Sequence, residues 1–211
     1  MKIAILGPGR IGSTLAEFLS QAGHDIMLCA YRDEEAAFRL ADALGARLGT
    51  LDDAREQAEV YVLSVPHPVA LATLRALQPS RGVIIDCTNQ FGGDLPDGYD
   101  STSELLSSQV PGCPVVKAFN TLRVDDLRTH VRTDERVAMP YATDSEGAAA
   151  IVDTLIRDCG YAPLRLGPLS NGALQEPGGP FFLQVLDMDE ALRMTADIEA
   201  TAGLQPAGPP A

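Results

Sequence analysis

The sequence contains no apolar run of the length that crosses a membrane. Such a span needs about 20 consecutive apolar residues, and Pro66 and Pro68 interrupt the most apolar region of the chain. A strand pattern begins at residue 2, which leaves no room ahead of it for a signal peptide. We therefore expect a soluble, cytoplasmic protein without a membrane partner.

Cysteine and positive charge are both scarce. The 4 cysteines form no C-x-x-C pair and no metal-like grouping with the 3 histidines, so we expect packing thiols and no metal site. The 16 Lys and Arg residues are outnumbered by 29 Asp and Glu residues, and the net charge of -13 opposes binding to nucleic acid. A length of 211 residues fits one domain, or one domain with a small appendage.

A glycine motif stands between a strand pattern and a helix pattern at the start of the chain. A short apolar run leads into Gly7-Pro8-Gly9-Arg10-Ile11-Gly12, and a helical pattern follows. In this order the first glycine makes a tight turn, the second lets the backbone approach a pyrophosphate, and the third lets the helix pack close to the strand. The helix N-terminus offers N–H groups to phosphates. The motif predicts a dinucleotide site; the alternative is a tight turn that binds nothing.

Strand and helix patterns alternate along the chain. We predict strands over residues 2–6, 25–29, 46–48, 59–65, 83–87, 115–119, 137–142 and 162–166. We predict helices over residues 10–22, 34–44, 51–57, 69–77, 145–159 and 181–201. This alternation indicates an α/β fold: a Rossmann-type, doubly wound, mostly parallel sheet with right-handed crossovers and a small C-terminal helical addition.

The residues after the second predicted strand bear on which dinucleotide binds. An NAD enzyme usually places Asp or Glu at this strand tip for the ribose 2′-hydroxyl. Here the tip is Ala30, followed by Tyr31 and Arg32. The arginine fork suits a 2′-phosphate and favours NADP(H). The carboxylates of residues 33–35 would repel a phosphate nearby, or they form the first turn of the next helix, where the helix dipole favours negative charge.

The loops after the later strands carry further candidates. Val65, Pro66 and His67 follow the fourth strand, where the prolines can wall the cofactor, and the histidine can exchange a proton or simply begin a helix. Asn89 follows the fifth strand and can bind a ribose or carboxamide, or occupy a turn that needs no ligand. Lys117, one of 2 lysines, either pairs with a neighbouring carboxylate or acts in catalysis.

Three motifs together resemble the NADPH-dependent coenzyme F420 reductases: the glycine motif at residues 7–12, residues 115–122 and residues 166–171. The cytoplasmic domain of the STEAP-type metalloreductases shares them, and the resemblance covers roughly residues 1–176. It implies that NADP(H) binds and that a hydride moves between nicotinamide and the deazaflavin F420 or a flavin. It also implies that Ala118 and Asn120 lie near the nicotinamide, with residues 169–171 closing the floor of the site.

These observations give the expected organisation of the chain. Residues 1–168 form the NADP(H)-binding domain, residues 169–203 complete the site, and residues 204–211 are a disordered tail. Arg123, Arg128, His130, Arg132 and Arg136 either receive the anionic tail of F420 or belong to a solvated loop.

Acid–base machinery is sparse in this sequence. No Tyr-x-x-x-Lys pair is present, and the weak catalytic candidates are Asn120, Lys117 and His67. The shortage fits hydride transfer between two rings, which depends on positioning more than on an acid. Two alternatives stay open: an NADPH-dependent reductase of a small carbonyl or imine, and a non-catalytic NADP(H)-binding or sensing module. We expect a small-molecule redox partner, and a homodimer is possible.

Overall fold

The computed structural model describes residues 1–130 and 137–202. The predicted tail at residues 204–211, and Arg132 and Arg136 of the basic stretch, lie outside the described residues. None of the helices within the described ranges is long and apolar enough to cross a bilayer.

Eight strands form one sheet. They are β1 (Lys2–Leu6), β2 (Asp25–Cys29), β3 (Arg47–Leu48), β4 (Val60–Leu63), β5 (Val83–Asp86), β6 (Val115–Ala118), β7 (Ala138–Ala142) and β8 (Ala162–Arg165). Their order is β3-β2-β1-β4-β5-β6-β7-β8. Every neighbouring pair is parallel except β6 and β7, which are antiparallel. The order of the first six strands is that of the Rossmann fold, so the predicted fold class is confirmed.

Helices cover both faces of this sheet. They are α1 (Arg10–Gln21), α2 (Glu34–Leu44), α3 (Leu51–Gln57), α4 (His67–Leu77), α5 (Thr102–Ser107), α6 (Val124–His130), α7 (Glu146–Asp158) and α8 (Met188–Ala202), with a 3₁₀ helix at Leu169–Gln175. The sequence patterns did not predict α5, α6 or the 3₁₀ helix. These elements span 6 or 7 residues each, so their helical period is weak, although α3, which is equally short, was predicted.

The central strands are buried on both faces. In β1, Ile3 and Ile5 belong to the core on the side of α1, which contributes Leu15. The intervening Ala4 and Leu6 belong to the opposite core. Successive side chains of a strand point to opposite faces, and a parallel sheet covered by helices on both sides therefore has strands that are continuously apolar.

The C-terminal helix begins later than predicted. It starts at Met188, whereas the pattern indicated a helix from residue 181. Asp187 fixes the start, because its Oδ1 accepts a 2.8 Å hydrogen bond from the backbone N of Glu190, whose side chain accepts one from the Asp187 backbone N. Ahead of this capping box, Leu183 has a φ of +58°, which a right-handed helix does not contain.

Candidate functional site

The glycine motif forms the turn between β1 and α1. Gly7 has a φ of +88°, and a Cβ at this position would lie 2.7 Å from Cγ1 of Val65. The backbone N of Gly7 donates to the carbonyl of Cys29 at 2.9 Å, at the end of β2. A glycine is therefore required here both for the left-handed conformation and for the close approach of Val65, in the loop after β4.

The other two glycines of the motif have different surroundings. A Cβ on Gly12 would lie 2.4 Å from the carbonyl oxygen of Gly7 and 2.4 Å from Oγ of Ser64, so this glycine allows α1 to pack closely on the sheet. A Cβ on Gly9 would meet nothing within 4 Å, and Gly9 lines the open groove described next. The structure thus separates a packing glycine from one that leaves room at a surface.

A groove of about 570 Å³ lies at the carboxyl ends of β1, β2 and β4. It brings together seven of the predicted contact residues: Gly7, Pro8, Gly9, Tyr31, Arg32, Val65 and Pro66. It is completed by Ala30, which sequence analysis placed at the tip of the second strand beside Tyr31 and Arg32, and by residues that sequence analysis missed: Ser13, Asp33, Ala36, Ala37, Leu40, Ser64, Val69 and Thr73. In α2 and α4 the missed residues recur at helical spacing, which marks one face of each helix. That helical spacing is the sequence signal from which these groove residues could have been predicted.

The first turn of α1 opens on this groove. Gly9 caps the helix with no side-chain hydrogen bond, and the first amides of a helix have no acceptor within it. Arg10 is the first helical residue, and its guanidinium lies 3.8 Å from the carboxylate of Asp125, with both side chains exposed. The helix end therefore presents N–H donors and a positive dipole end at the floor of the groove.

The carboxylates beside Arg32 interact with groups of α2. Asp33 is the N-cap residue, and its Oδ1 accepts a 2.9 Å hydrogen bond from the backbone N of Ala36. Glu35 forms an ion pair with Arg39 one turn along the helix. Helix capping and pairing satisfy these carboxylates locally, and Arg32 is left exposed at the mouth of the groove.

Seven predicted contact residues do not line the groove: Arg10, Ile11, Gly12, His67, Asn89, Ala118 and Asn120. Ala118 is fully buried in the core between β5 and β7, so its side chain contributes packing. Their predicted roles in binding stay predictions.

Two asparagines join the loops that follow β5 and β6. The side-chain nitrogen of Asn120 donates to Oδ1 of Asn89 at 3.0 Å and to the carbonyl of Gln175 at 2.7 Å. The side-chain nitrogen of Asn89 donates in return to the carbonyl of Asn120 at 2.8 Å. Oδ1 of Asn120 is buried and has no hydrogen-bond partner among the described residues. This pair forms a polar edge of the sheet next to the end of the groove.

Lys117 lies in a closed polar cluster beneath that edge. Its Nζ is 2.6 Å from the carbonyl of Thr88, 3.0 Å from Oδ2 of Asp86 and 3.2 Å from Oγ1 of Thr102. Oε1 of Glu176 is 3.3 Å away and accepts hydrogen bonds from the N and Oγ1 of Thr102. The three ammonium protons all have acceptors, so Lys117 ties β5, β6, α5 and the C-terminal segment together. The pairing that sequence analysis gave as one alternative is the one observed.

Asp86 is ionised inside this cluster. Burial alone would raise the pKa of its carboxyl, but the Lys117 ammonium and a 2.6 Å hydrogen bond from Oγ of Ser103 hold it below the usual value. The backbone N of Thr88 adds a further hydrogen bond of 2.9 Å to Oδ1. The Asp86 carboxyl therefore stays ionised at neutral pH.

His67 begins α4 and is half-buried. Its Nδ1 lies 3.4 Å from Oγ1 of Thr88, which connects it to the cluster. Burial lowers the pKa of His67; Lys117 adds to the shift, and the nearby carboxylates of Asp86 and Glu176 oppose it. The ring is accordingly neutral near pH 7.

The described part of the basic stretch, after Arg123, forms α6. Arg128 is paired with Glu17 of α1 at 2.8 Å, and Asp125 and Asp126 lie in the first turn of the helix. Local carboxylates therefore offset its charge.

The chain is similar in sequence to one described family and to its members. Residues 2–90 match the family described as NADP oxidoreductase, coenzyme F420-dependent. The F420-dependent NADP reductase of Methanothermobacter marburgensis is 31% identical, over 76% of this chain and 84% of that protein. The chain belongs to the F420-dependent NADP oxidoreductase family. The predicted family, whose description is NADP oxidoreductase, is confirmed.

Other curated relatives of this family member are much longer. Metalloreductase STEAP3 of Rattus norvegicus is 28% identical over 81% of this chain, which spans 34% of that protein. A glycerol-3-phosphate dehydrogenase [NAD(P)+] of Chlorobium luteolum is 33% identical over 53% of this chain and 38% of its own length. The chain thus corresponds to little more than a third of these two relatives.

Solved structures show the same fold over nearly the whole chain. A hypothetical protein from Sinorhizobium meliloti superposes with a TM-score of 0.76 at 29% identity, covering 90% of this chain and 96% of its own. A protein described as a putative F420-dependent NADP-reductase from Arthrobacter sp. gives a TM-score of 0.69 at 21% identity, with coverage of 96% and 95%. A reductive aminase from Aspergillus terreus in complex with NADPH and ethyl levulinate gives a TM-score of 0.63 at 18% identity, with coverage of 96% and 62%. At those identities, the last two show a shared fold alone.

Proposed function

We propose that this family member transfers a hydride between NADP(H) and the deazaflavin F420 or a flavin. The observation that carries the proposal is the course of the groove. It runs from Arg32 past the glycine loop to Pro66, and the Asn89–Asn120 edge lies on the next strands of the sheet. Rossmann sheets bind dinucleotides across this sequence of strand ends.

The residues of the groove fit NADP(H) from one end to the other. Arg32 is placed to bind the 2′-phosphate through its guanidinium fork. The amides at the start of α1 bind the pyrophosphate, and the open face of Gly9 gives it room. Val65 and Pro66 form an apolar wall on the nicotinamide side.

The polar edge next to the groove is placed to position the reacting ring. The Asn89–Asn120 pair is fixed by reciprocal hydrogen bonds, so its amide groups are preorganised for a ribose or a carboxamide. Gln175 contributes its carbonyl to Asn120, and its side chain donates to the carbonyl of Lys117 at 3.2 Å. These contacts support the proposal that residues 169–203 complete the site.

The candidate proton donors near the Asn89–Asn120 pair either have all their protons in hydrogen bonds or are uncharged. Lys117 has an acceptor for each ammonium proton, and His67 has a lowered pKa. When bound, NADPH supplies the hydride from its nicotinamide ring. An acceptor ring that takes its accompanying proton from solvent needs no protein acid, whereas carbonyl reduction does. This arrangement favours a deazaflavin or flavin as the acceptor.

The experiment has two stages. NADPH and NADH are titrated into the protein and followed by nicotinamide fluorescence; then F420 and FMN are added separately and oxidation is read at 340 nm. We expect tighter binding of NADPH and oxidation that depends on an added ring acceptor. Binding without turnover by either acceptor would overturn the hydride-transfer proposal in favour of imine or carbonyl reduction or of sensing. A panel of small carbonyls and imines then separates those two.

A further inference from the structure

An aromatic pair of an exposed Phe91 and a half-buried Phe182 stands beside the proposed nicotinamide end of the site. The side chain of Phe91 is 77% exposed, and it lies two residues beyond Asn89 in the loop after β5. Its ring packs edge-to-face on Phe182, with centroids 6.2 Å apart and an interplanar angle of 65°. An aromatic ring that stays in water gains nothing from the hydrophobic effect when the chain folds, and it remains available to a ligand. Phe91 combines this exposure with a ring partner and a place in the loop that carries Asn89.

The C-terminal segment holds Phe182 in this place. On one side of it, Phe181 is buried and its backbone N donates to the carbonyl of Leu174 at 2.9 Å. On the other side, the backbone N of Leu183 donates to the carbonyl of Thr121 at 2.8 Å. Thr121 directly follows Asn120, so this hydrogen bond attaches the segment to the loop after β6.

The buried Lys117 cluster fixes the base of the same segment. Glu176 accepts hydrogen bonds from Thr102 and lies 3.3 Å from the Lys117 ammonium. The chain from there to Phe182 is therefore anchored at both ends. An aromatic surface on such rigid supports is preorganised for a ligand and loses little conformational entropy when one binds.

We propose that Phe91 and Phe182 bind the ring of the hydride acceptor and that this acceptor is a fused aromatic ring system. The inference rests on the proposed function and deepens it, because it assigns the acceptor's place and excludes small aliphatic carbonyls and imines as the preferred substrate. Aromatic faces and edges give a flat ring a larger contact than they give a small aliphatic molecule.

The reaction balances without a further reagent. The C4–H bond of the nicotinamide breaks and its hydride forms a new bond to C5 of a deazaflavin or N5 of a flavin. NADPH is oxidised by two electrons to NADP+, and the acceptor ring is reduced by the same two. A solvent proton then binds a ring nitrogen. Phe91 and Phe182 take no part in proton or electron transfer and serve only to hold the acceptor.

The test compares Phe91→Ser with Phe38→Ser, because Phe38 is also an exposed phenylalanine, at 63%, but lies on α2. With F420 and then FMN as acceptor, we expect Phe91→Ser to raise the acceptor KM by about 10-fold, in keeping with the loss of one stacking contact. Phe91→Tyr keeps the ring and should restore a KM near that of the wild type. NADPH affinity, measured by fluorescence, should be the same in all variants.

Three outcomes would overturn the inference. Equal acceptor KM values in Phe91→Ser, Phe38→Ser and the wild type would do so while leaving the proposed hydride transfer intact. A change of oligomeric state in Phe91→Ser, measured by sedimentation, would assign the pair to an interface between copies instead.

If the wild type oxidises NADPH with neither acceptor, the proposed function fails separately. Titrating F420 and FMN into the NADP+-saturated protein then decides the inference: equal affinity of the wild type and Phe91→Ser would overturn it.

Discussion

The Nζ of Lys117 lies 3.0 Å from Oδ2 of Asp86, and neither side chain is exposed. Glu176 completes the group with a second carboxylate. Breaking a buried ion pair on one side leaves a charge that is neither paired nor hydrated. This relationship connects the stability of the domain to the order of the Asn89–Asn120 edge above it.

Lys117→Met should destabilise the protein strongly. It removes the only ammonium that the described cluster contains and leaves Asp86 and Glu176 buried without their partner, so we expect a loss of about 3–5 kcal/mol in the free energy of unfolding. Urea denaturation measures the change. Arg39→Met is the control, because Arg39 makes an exposed pair with Glu35 and its loss should cost less than about 1 kcal/mol. Equal losses in the two variants would contradict the assignment.

Alanine substitutions at two glycines of the motif should affect different properties: Gly12→Ala should lower stability, and Gly9→Ala should lower NADPH affinity. Gly12→Ala places a Cβ 2.4 Å from the carbonyl oxygen of Gly7, and overpacking of this kind costs about 1–3 kcal/mol of stability. Gly9→Ala meets no atom within 4 Å, so folding should change by less than about 1 kcal/mol. Its methyl group enters the groove, and NADPH affinity should fall by about 10-fold.

Chemical denaturation and a fluorescence titration of each glycine variant separate the two effects. Unchanged NADPH affinity in Gly9→Ala would show that the pyrophosphate does not approach this part of the loop.

Arg32→Ala should weaken NADPH more than NADH. The lost guanidinium contact to the 2′-phosphate is worth about 10-fold in affinity at an exposed position, and NADH has no such phosphate. Arg157→Ala, in α7 and paired with Asp153, is the control for loss of one positive charge. Parallel titrations of both nucleotides give the ratio. A ratio that Arg32→Ala leaves at the wild-type value would place the 2′-phosphate elsewhere.

His67 should make the folded protein less stable as the pH falls below neutrality. Burial lowers its pKa in the folded state, so the unfolded chain binds a proton more readily. The stability it contributes is present above the unfolded pKa of about 6.5 and is lost as the pH falls through the folded pKa. Unfolding free energies at several pH values should decline less steeply in His67→Gln than in the wild type. Superimposable slopes would show that His67 does not titrate differently in the two states.

The groove proposed for the nucleotide could be predicted from sequence because its determinants are local. Gly7, Gly9 and Gly12 act within one turn between a strand and a helix, and Tyr31 and Arg32 follow the neighbouring strand. The continuous apolar strands and the intervening helical patterns likewise determined a doubly wound sheet, since both periods are set by backbone geometry. The start of α8 was placed too early because the apolar residues before Asp187 fit a helical period equally well.

Only the tertiary structure decided the arrangement of the side chains at the proposed acceptor site. Lys117, Asp86, Thr102 and Glu176 are far apart along the chain, and nothing in their local sequence indicates that one buried ammonium joins them. The contact of Phe91 with Phe182 is of the same kind. Side chains from distant segments meet because the parallel sheet brings its carboxyl-end loops to one edge and the C-terminal segment folds back over them, and packing of that kind leaves no periodic trace in the sequence.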